Sequence, residues 1–401
     1  MNPGNYLVRA PLIDAAQRLR GYRLSWQGAG SGAALPERGQ LTPLLELVAE
    51  FPMPADSSRY FIDVQASALF SHSLAHLNAA TTVLMFSHAD LSCAQGISLT
   101  MSLKAQGFGL GLRNPEAALF DADDGLLGLM SHATIDLAHP DLARIASLAA
   151  RAGSGLELEL MVDHVSDWNE FDACAAHGLP GFFGNLCALP RNLPPAAGMG
   201  VQSVLILQLM KMVQEYADIR ALEKVLQRDA LLSYQLLRYI NSAGFGLQIE
   251  IESLRHAITM LGYQPLYRWL ALLLATTSPA GFSRALLEAA IVRGRFVELL
   301  GRGSLPASEA ENLFVVGLFS LLDQLLGVPM HQLMRQVFLP GAIVQALLDR
   351  ENIYGPFLAL AEACEQENGC TPAVADSLFM TSSQVNKAHG AAMAWAQQLS
   401  L

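Results

Sequence analysis

The feature that most limits what this chain can fold into is a change of hydrophobic period near its middle. Before that point, β-rich runs such as Arg59-Tyr-Phe-Ile-Asp-Val64 and Gly155-Leu-Glu-Leu-Glu-Leu-Met-Val162 alternate with helical stretches such as Leu41 to Phe51. A strand repeats every two residues and a helix every 3.6, so this alternation predicts an α/β unit with a largely parallel sheet. From about Val201 onward, apolar residues recur at three- and four-residue spacing, as in VLILQLMKMVQEY and ALLSYQLLRYI, and the second half reads as all helix. Between the two lies Leu189-Pro-Arg-Asn-Leu-Pro-Pro195. Its prolines lack amide hydrogens and fix φ, which prevents regular structure and puts the expected boundary at residue 190. A chain of 401 residues exceeds what one hydrophobic core serves, so an α/β domain over 1–190 and an all-α domain over 191–401 are expected.

Composition removes several classes of function. With 52% hydrophobic and 15% charged residues, the chain is not disordered. Its most apolar run, Trp269 to Ala275, covers about a third of the ~20 residues a bilayer needs and follows Arg268, so it predicts a buried helix and no membrane span. No cationic segment followed by an apolar stretch opens the sequence, which makes the cytoplasm the expected compartment. The five cysteines form no CxxC pair and are expected to be reduced and mostly buried. A formal net charge of −11 without a basic stripe argues against a nucleic-acid partner.

Individual motifs carry little chemistry on their own. His72 and His76 have the spacing of two metal ligands on one helix face, but no HExxH glutamate accompanies them. Asp163 and His164 are adjacent, which on a strand sends them to opposite faces. Gly107-Phe-Gly-Leu-Gly111 completes neither phosphate-loop pattern and reads as a strand with small residues where chains approach. Arg293 and Arg295 suggest an anion pocket but read more simply as solvated helix arginines. Asn241 and Ser242 read as a helix terminus before two glycines, and Asn368-Gly369, between Cys364 and Cys370, as a surface turn.

The first half resembles the EAL domain, the cyclic-di-GMP phosphodiesterase barrel, and the second resembles the HDOD domain, a relative of HD phosphohydrolases. Together the two resemblances cover nearly the whole chain. They imply a TIM-type barrel, complete or lacking strands, followed by an all-helical domain. In active EAL domains, acidic and amide side chains at the strand C-termini hold two divalent cations that activate water. Position by position, this chain departs from that set. Arg23 stands in the place of the glutamate of the first hairpin, at Leu12 to Ser25. Asp63 in Phe61-Ile-Asp-Val64 replaces an asparagine ligand, and His88 after Val83-Leu-Met-Phe-Ser87 replaces a glutamate. Arg113 and Asn114 occupy the Asp-Asp pair. Asp136 is kept, with Thr134 in the place of a lysine. Asp163-His164-Val-Ser166 replaces Glu-x-Val-Glu, and Phe183 in Gly178-Leu-Pro-Gly-Phe-Phe-Gly184 replaces a glutamine that contacts nucleotide.

The HDOD resemblance rests on Val225 to Gly246 and on Ser253-Leu-Arg-His-Ala-Ile-Thr-Met-Leu-Gly262. In Val316-Gly-Leu-Phe-Ser-Leu-Leu322, Ser320 and Leu321 take the places of the adjacent His-Asp metal ligands. A hydroxyl and an alkyl group make no divalent-metal site. The expectation is therefore a signalling or scaffold protein without catalytic residues, cofactor or metal, which works through contacts with other signalling proteins and can pair with a second copy of itself. Binding of cyclic-di-GMP is not expected. The alternative is a receptor that holds a nucleotide through Arg23 or Arg113 without cleaving it. A third reading is residual hydrolysis through Asp63, His88, Asp136 and Asp163.

Overall fold

The computed structural model describes residues 5–27, 38–50, 59–69, 74–120, 125–137, 142–152, 158–186, 189, 200–241, 251, 253–277, 283–337, 339–366 and 370–398. His72, Ser242, Asn368 and Gly369 lie outside the described residues, as does most of the proline-rich junction.

Eight strands close a barrel in sequence order. They are β1 (Tyr6–Ile13), β2 (Leu19–Gln27), β3 (Arg59–Asp63), β4 (Thr82–Ser87), β5 (Gly109–Arg113), β6 (His132–Asp136), β7 (Glu159–Asp163) and β8 (Gly181–Phe183). The strand set is complete. β1 runs antiparallel to β2 and β8, and all the other pairings are parallel. Alternation along each strand separates two cores. Tyr60, Ile62, Leu84, Phe86, Leu110, Leu112, Leu160 and Val162 belong to the large outer core shared with the helices. Leu12, Phe61, Val83, Met85, Met161 and Phe183 fill the inside. Gly111 leaves room there for the Met85 thioether, which would have to shift if a Cβ were added.

The second half is helical, as its period predicts. Trp269 to Ala275 lies buried in the Tyr263–Thr276 helix. The long Arg284–Gly301 helix forms the centre and packs on the Ala307–Phe319 helix where Gly294 meets Gly317, whose added Cβ would come within 2.6 Å of the Gly294 Cα. Two short helices, Leu322–Leu326 and Met330–Gln336, and then Gly341–Asp349, Gly355–Ala363, Thr371–Ser377 and Ser382–Gln398 follow among the described residues.

The two halves meet at β1. The short β8 pairs with β1 only at Leu12 and Ile13, so the rest of that edge has no strand beside it. An open edge is normally covered. Here the last helices do so. The Leu7 N–H donates to Asn386 Oδ1 at 2.8 Å, and the Leu7 carbonyl faces His389 Nδ1 at 3.3 Å. Asn386 also donates to the Asn5 carbonyl at 2.9 Å, and the Arg9 N–H donates to the Cys364 carbonyl at 3.4 Å.

The Arg9 side chain continues into a buried network. Its Nη2 donates to Glu365 Oε1 at 3.1 Å, and Arg293 binds both oxygens of the same carboxylate, at 3.2 and 2.5 Å. Arg293 Nη1 also donates to Ser320 Oγ at 2.8 Å. Arg293, read from sequence as a solvated arginine, is 3% exposed. It shares a helix face with Leu286, Ala290, Val297 and Leu300, all buried, so the core takes it in together with its counter-ion. Burial pushes the Glu365 carboxyl up, but Arg293 and Arg9 outweigh it and hold it below the usual carboxylate range. Nearby, the Tyr22 hydroxyl donates to Glu288 at 3.2 Å, and Thr371 bonds the Gln27 amide.

Removing one member of a buried pair leaves the other charge stranded, at a cost of about 3–5 kcal/mol. Glu365→Ala is therefore expected to lower unfolding free energy by about that amount, whereas Arg18→Ala, in an exposed pair with Asp14, should change it by less than about 1 kcal/mol. Urea titration followed by tryptophan fluorescence measures both.

Histidine burial predicts the pH response. Burial and the Arg9 charge lower His389 from 6.5 to about 3, and burial with Arg59 and Arg20 lowers His132 from 6.5 to about 4. Both rings stay neutral in the fold and take protons first when unfolded. Their stabilising contribution is full above pH 6.5 and falls as pH drops toward those folded values. Glu288, raised by burial, acts in the opposite sense. Between pH 6 and 4.5, His389→Gln should reduce the slope of unfolding free energy against pH by about 1.4 kcal/mol per unit. An unchanged slope in stability curves measured at several pH values would mean His389 is not buried neutral.

Candidate functional site

Inward positions at the C-termini of five strands, Asp63 on β3, Ser87 on β4, Arg113 on β5, Asp136 on β6 and Asp163 on β7, form a ring that the side chain of Arg23, from the middle of β2, reaches from below. They sit above the inner core, where Phe183 packs edge-on against Phe61 with ring centroids 5.1 Å apart. This is the end of a parallel barrel at which reactive groups collect.

Cations and carboxylates pair across the ring. Arg23 Nη1 bonds Asp163 Oδ2, with both side chains about one-tenth exposed, and the guanidinium lies 5.5 Å from the centre of the Phe183 ring. Arg113 Nε stands 3.6 Å from Asp63 Oδ1. His164 Nδ1 is 3.1 Å from Asp136 Oδ1. His164 lies just past β7 at φ +56°, and its N–H donates to Asp163 Oδ1 at 2.8 Å. Strand alternation would have sent Asp163 and His164 to opposite faces. The left-handed turn ends that alternation and keeps His164 on the rim.

Other sequence candidates fall outside the ring. On β4, inward Val83 and Met85 bring Ser87 to the rim, so the exposed His88 opens the following helix turn, capped by Ser87 and Asp90. Asn114 is exposed at φ +45°, its N–H donating to the Thr134 carbonyl at 2.6 Å. Ser166 turns away and donates to Glu170 through both N–H and Oγ, each at 2.7 Å. In the helical half, Ser320 donates to the Gly317 carbonyl while accepting from Arg293. Leu321 is buried and lines a cavity of about 10 Å³ with Arg9 and Glu365.

The residues at the mouth do not fit a pair of divalent cations. Asp63, Asp136 and Asp163 each already face a cationic or imidazole group, and a dication would have to displace Arg23 while sitting close to Arg113. Among the described residues, no three His, Cys, Asp or Glu side chains converge in a way that could hold a metal. Ser87 and the Arg9–Glu365–Arg293 network are the features sequence reasoning missed. The spacing of Arg293 within an apolar helix face was the available signal for the second.

The ring makes a direct prediction about stability. Asp163→Asn strands the buried Arg23 charge and should cost about 3 kcal/mol, while Arg23→Met combined with Asp163→Leu should recover most of that loss. Thermal and urea unfolding of the two variants provide the comparison.

Residues 201–337 match the family model of the HDOD domain. Across the chain, similarity reaches the uncharacterized protein YuxH of Bacillus subtilis, 24% identical over 376 residues, 90% of this chain and 91% of that protein. The cyclic di-GMP phosphodiesterase CdgJ of Vibrio cholerae is 27% identical over 217 residues, 54% of this chain and 50% of its own length. Among solved structures, the PaMucR phosphodiesterase in complex with c-di-GMP overlaps 45% of this chain and 89% of its own, with TM-score 0.34 and 14% identity. The Xanthomonas citri FimX EAL domain, also in complex with c-di-GMP, overlaps 45% and 86%, with TM-score 0.36 and 12% identity. The chain is thus an eight-stranded barrel followed by a helical half in which residues 201–337 match the HDOD domain model. No helix among the described residues is long and apolar enough to cross a membrane.

Proposed function

We propose that this chain is a non-hydrolysing regulatory protein that works in the cytoplasm by contact with other signalling proteins. Its barrel over residues 1–190 and its helical domain over 191–401 form the contact surface. One observation carries the reading: the carboxylates at the barrel mouth are engaged by Arg23, Arg113 and His164, which stand where metal ions would be needed. The serine and leucine at the metal positions of the helical domain support it, since Ser320 serves Arg293 instead. Among the described residues, no cluster of His, Cys, Asp or Glu offers a start for chemistry that depends on a metal-activated water. The purified chain is expected to release no linear dinucleotide from cyclic-di-GMP in Mg²⁺ or Mn²⁺. Metal-dependent turnover that disappears in Asp163→Asn would overturn the proposal.

A second reading has one observation in its favour. Arg113 Nε and Nη2 are buried and have no hydrogen-bond partner among the described residues. Unmade donor bonds of a buried guanidinium are costly, and a phosphate oxygen would complete them. In this reading the mouth holds a nucleotide phosphate without cleaving it. Calorimetric titration with cyclic-di-GMP separates the two: binding that Arg113→Gln abolishes supports the receptor, and absence of heat supports the contact protein.

A further inference from the structure

The opposite end of the barrel carries a feature the mouth does not explain. A cavity of about 180 Å³ opens at the N-terminal ends of β3, β4 and β5, lined among others by Arg59, Thr82, Lys104, Gly107, Gly109 and Ser131. One water needs about 10–15 Å³ of such space, so this cavity has room for more than a solvent molecule or two. Gly107, at φ +92°, and Gly109 bring only backbone to the wall, which keeps the opening wide.

The charge at this end is one-sided. Arg59 Nη1 lies 3.3 Å from His132 Nε2, and Lys104 Nζ donates to the Gly128 carbonyl at 3.0 Å. Neither cation forms an ion pair with a carboxylate among the described residues. Glu159, the nearest acid on this end, is engaged by Arg20 at 3.4 Å and stands 3.7 Å from His132 Nε2. Ser131 Oγ sits 2.8 Å from His132 Nδ1 and 3.0 Å from the Leu110 carbonyl. With Nδ1 facing the hydroxyl, Nε2 is left to accept from Arg59 and the ring stays neutral. Its lowered pKa of about 4, caused by burial and then by Arg59 and Arg20, agrees with a positive potential at this end.

We propose that this cavity binds a small oxyanion of the phosphate class, held by the Arg59 guanidinium and the Lys104 ammonium at its rim, with the Thr82 and Ser131 wall behind. A planar guanidinium forks onto two oxygens while an ammonium supplies a point charge. The enclosed volume suits a free phosphate or a phosphate monoester with a short body. The site is separate from the mouth and independent of whether the mouth binds nucleotide.

Phosphorus-31 line widths of inorganic phosphate and of ribose 5-phosphate, titrated with the full chain at constant ionic strength in KCl, test the proposal. Saturable broadening is expected. Arg59→Gln and Lys104→Gln should each weaken binding about tenfold, the loss of one charge-assisted hydrogen bond, while Arg113→Gln leaves it unchanged. Lys104 is exposed on a helix, so its variant keeps the fold, which circular dichroism checks. Tighter binding of the sugar phosphate would assign the site to an ester, and tighter binding of inorganic phosphate to the free ion. No saturable broadening, or broadening that survives both Arg59→Gln and Lys104→Gln, or loss confined to Arg113→Gln, would overturn the proposal.

Discussion

The unpaired edge of β1 determines how this chain is assembled. A closed barrel has no free edge, but β8 is three residues long and, among the described residues, leaves Tyr6 to Ala10 without a strand on that side. The last helices take the place of that strand. Asn386 and His389 engage the Leu7 amide and carbonyl, and the Cys364 carbonyl takes the Arg9 N–H. These groups lie beyond the residues matched by the HDOD model. The C-terminal segment therefore serves the barrel as much as the helical domain, and the two halves share one outer core.

Once Arg9 is carried into that interface, its charge needs an answer, and Glu365 with Arg293 provides it. Two guanidiniums and one carboxylate in a nearly dry space fix relative position more than they add stability, because each ion gives up hydration to be there. Ser320 completes the arrangement by accepting from Arg293. Ser320 is thereby part of the joint between the halves. At the barrel mouth the same logic holds: Arg23 on Asp163 and Arg113 near Asp63 neutralise the carboxylates with protein charge.

Much of this could be read from the sequence because its signals were local. The change of period near Val201 gave the two architectures, and Phe61-Ile-Asp-Val64 and Val83-Leu-Met-Phe-Ser87 gave strands buried on both faces. The ring residues Asp63, Arg113 and Asp136 were identifiable because each ends a recognisable strand, and Arg23 because it sits in the first hairpin. What sequence did not reveal depends on contacts between distant residues or on one backbone angle. Arg9 and Glu365 are separated by 356 positions, so neither announces the other. His88 stands outside the ring because strand alternation stops at Ser87, where a helix cap begins. The His164 side chain returns to Asp136 and Asp163 only because φ is positive there.

The central claim is that protein cations, not metal ions, neutralise the barrel mouth. Its most direct test is electron paramagnetic resonance of Mn²⁺ titrated against the purified chain. The account predicts that free Mn²⁺ signal persists at micromolar concentrations, with no stoichiometric binding. One or two tightly bound Mn²⁺ per chain, lost on Asp163→Asn, would show instead that the carboxylates give up their arginines to metal, and would contradict it.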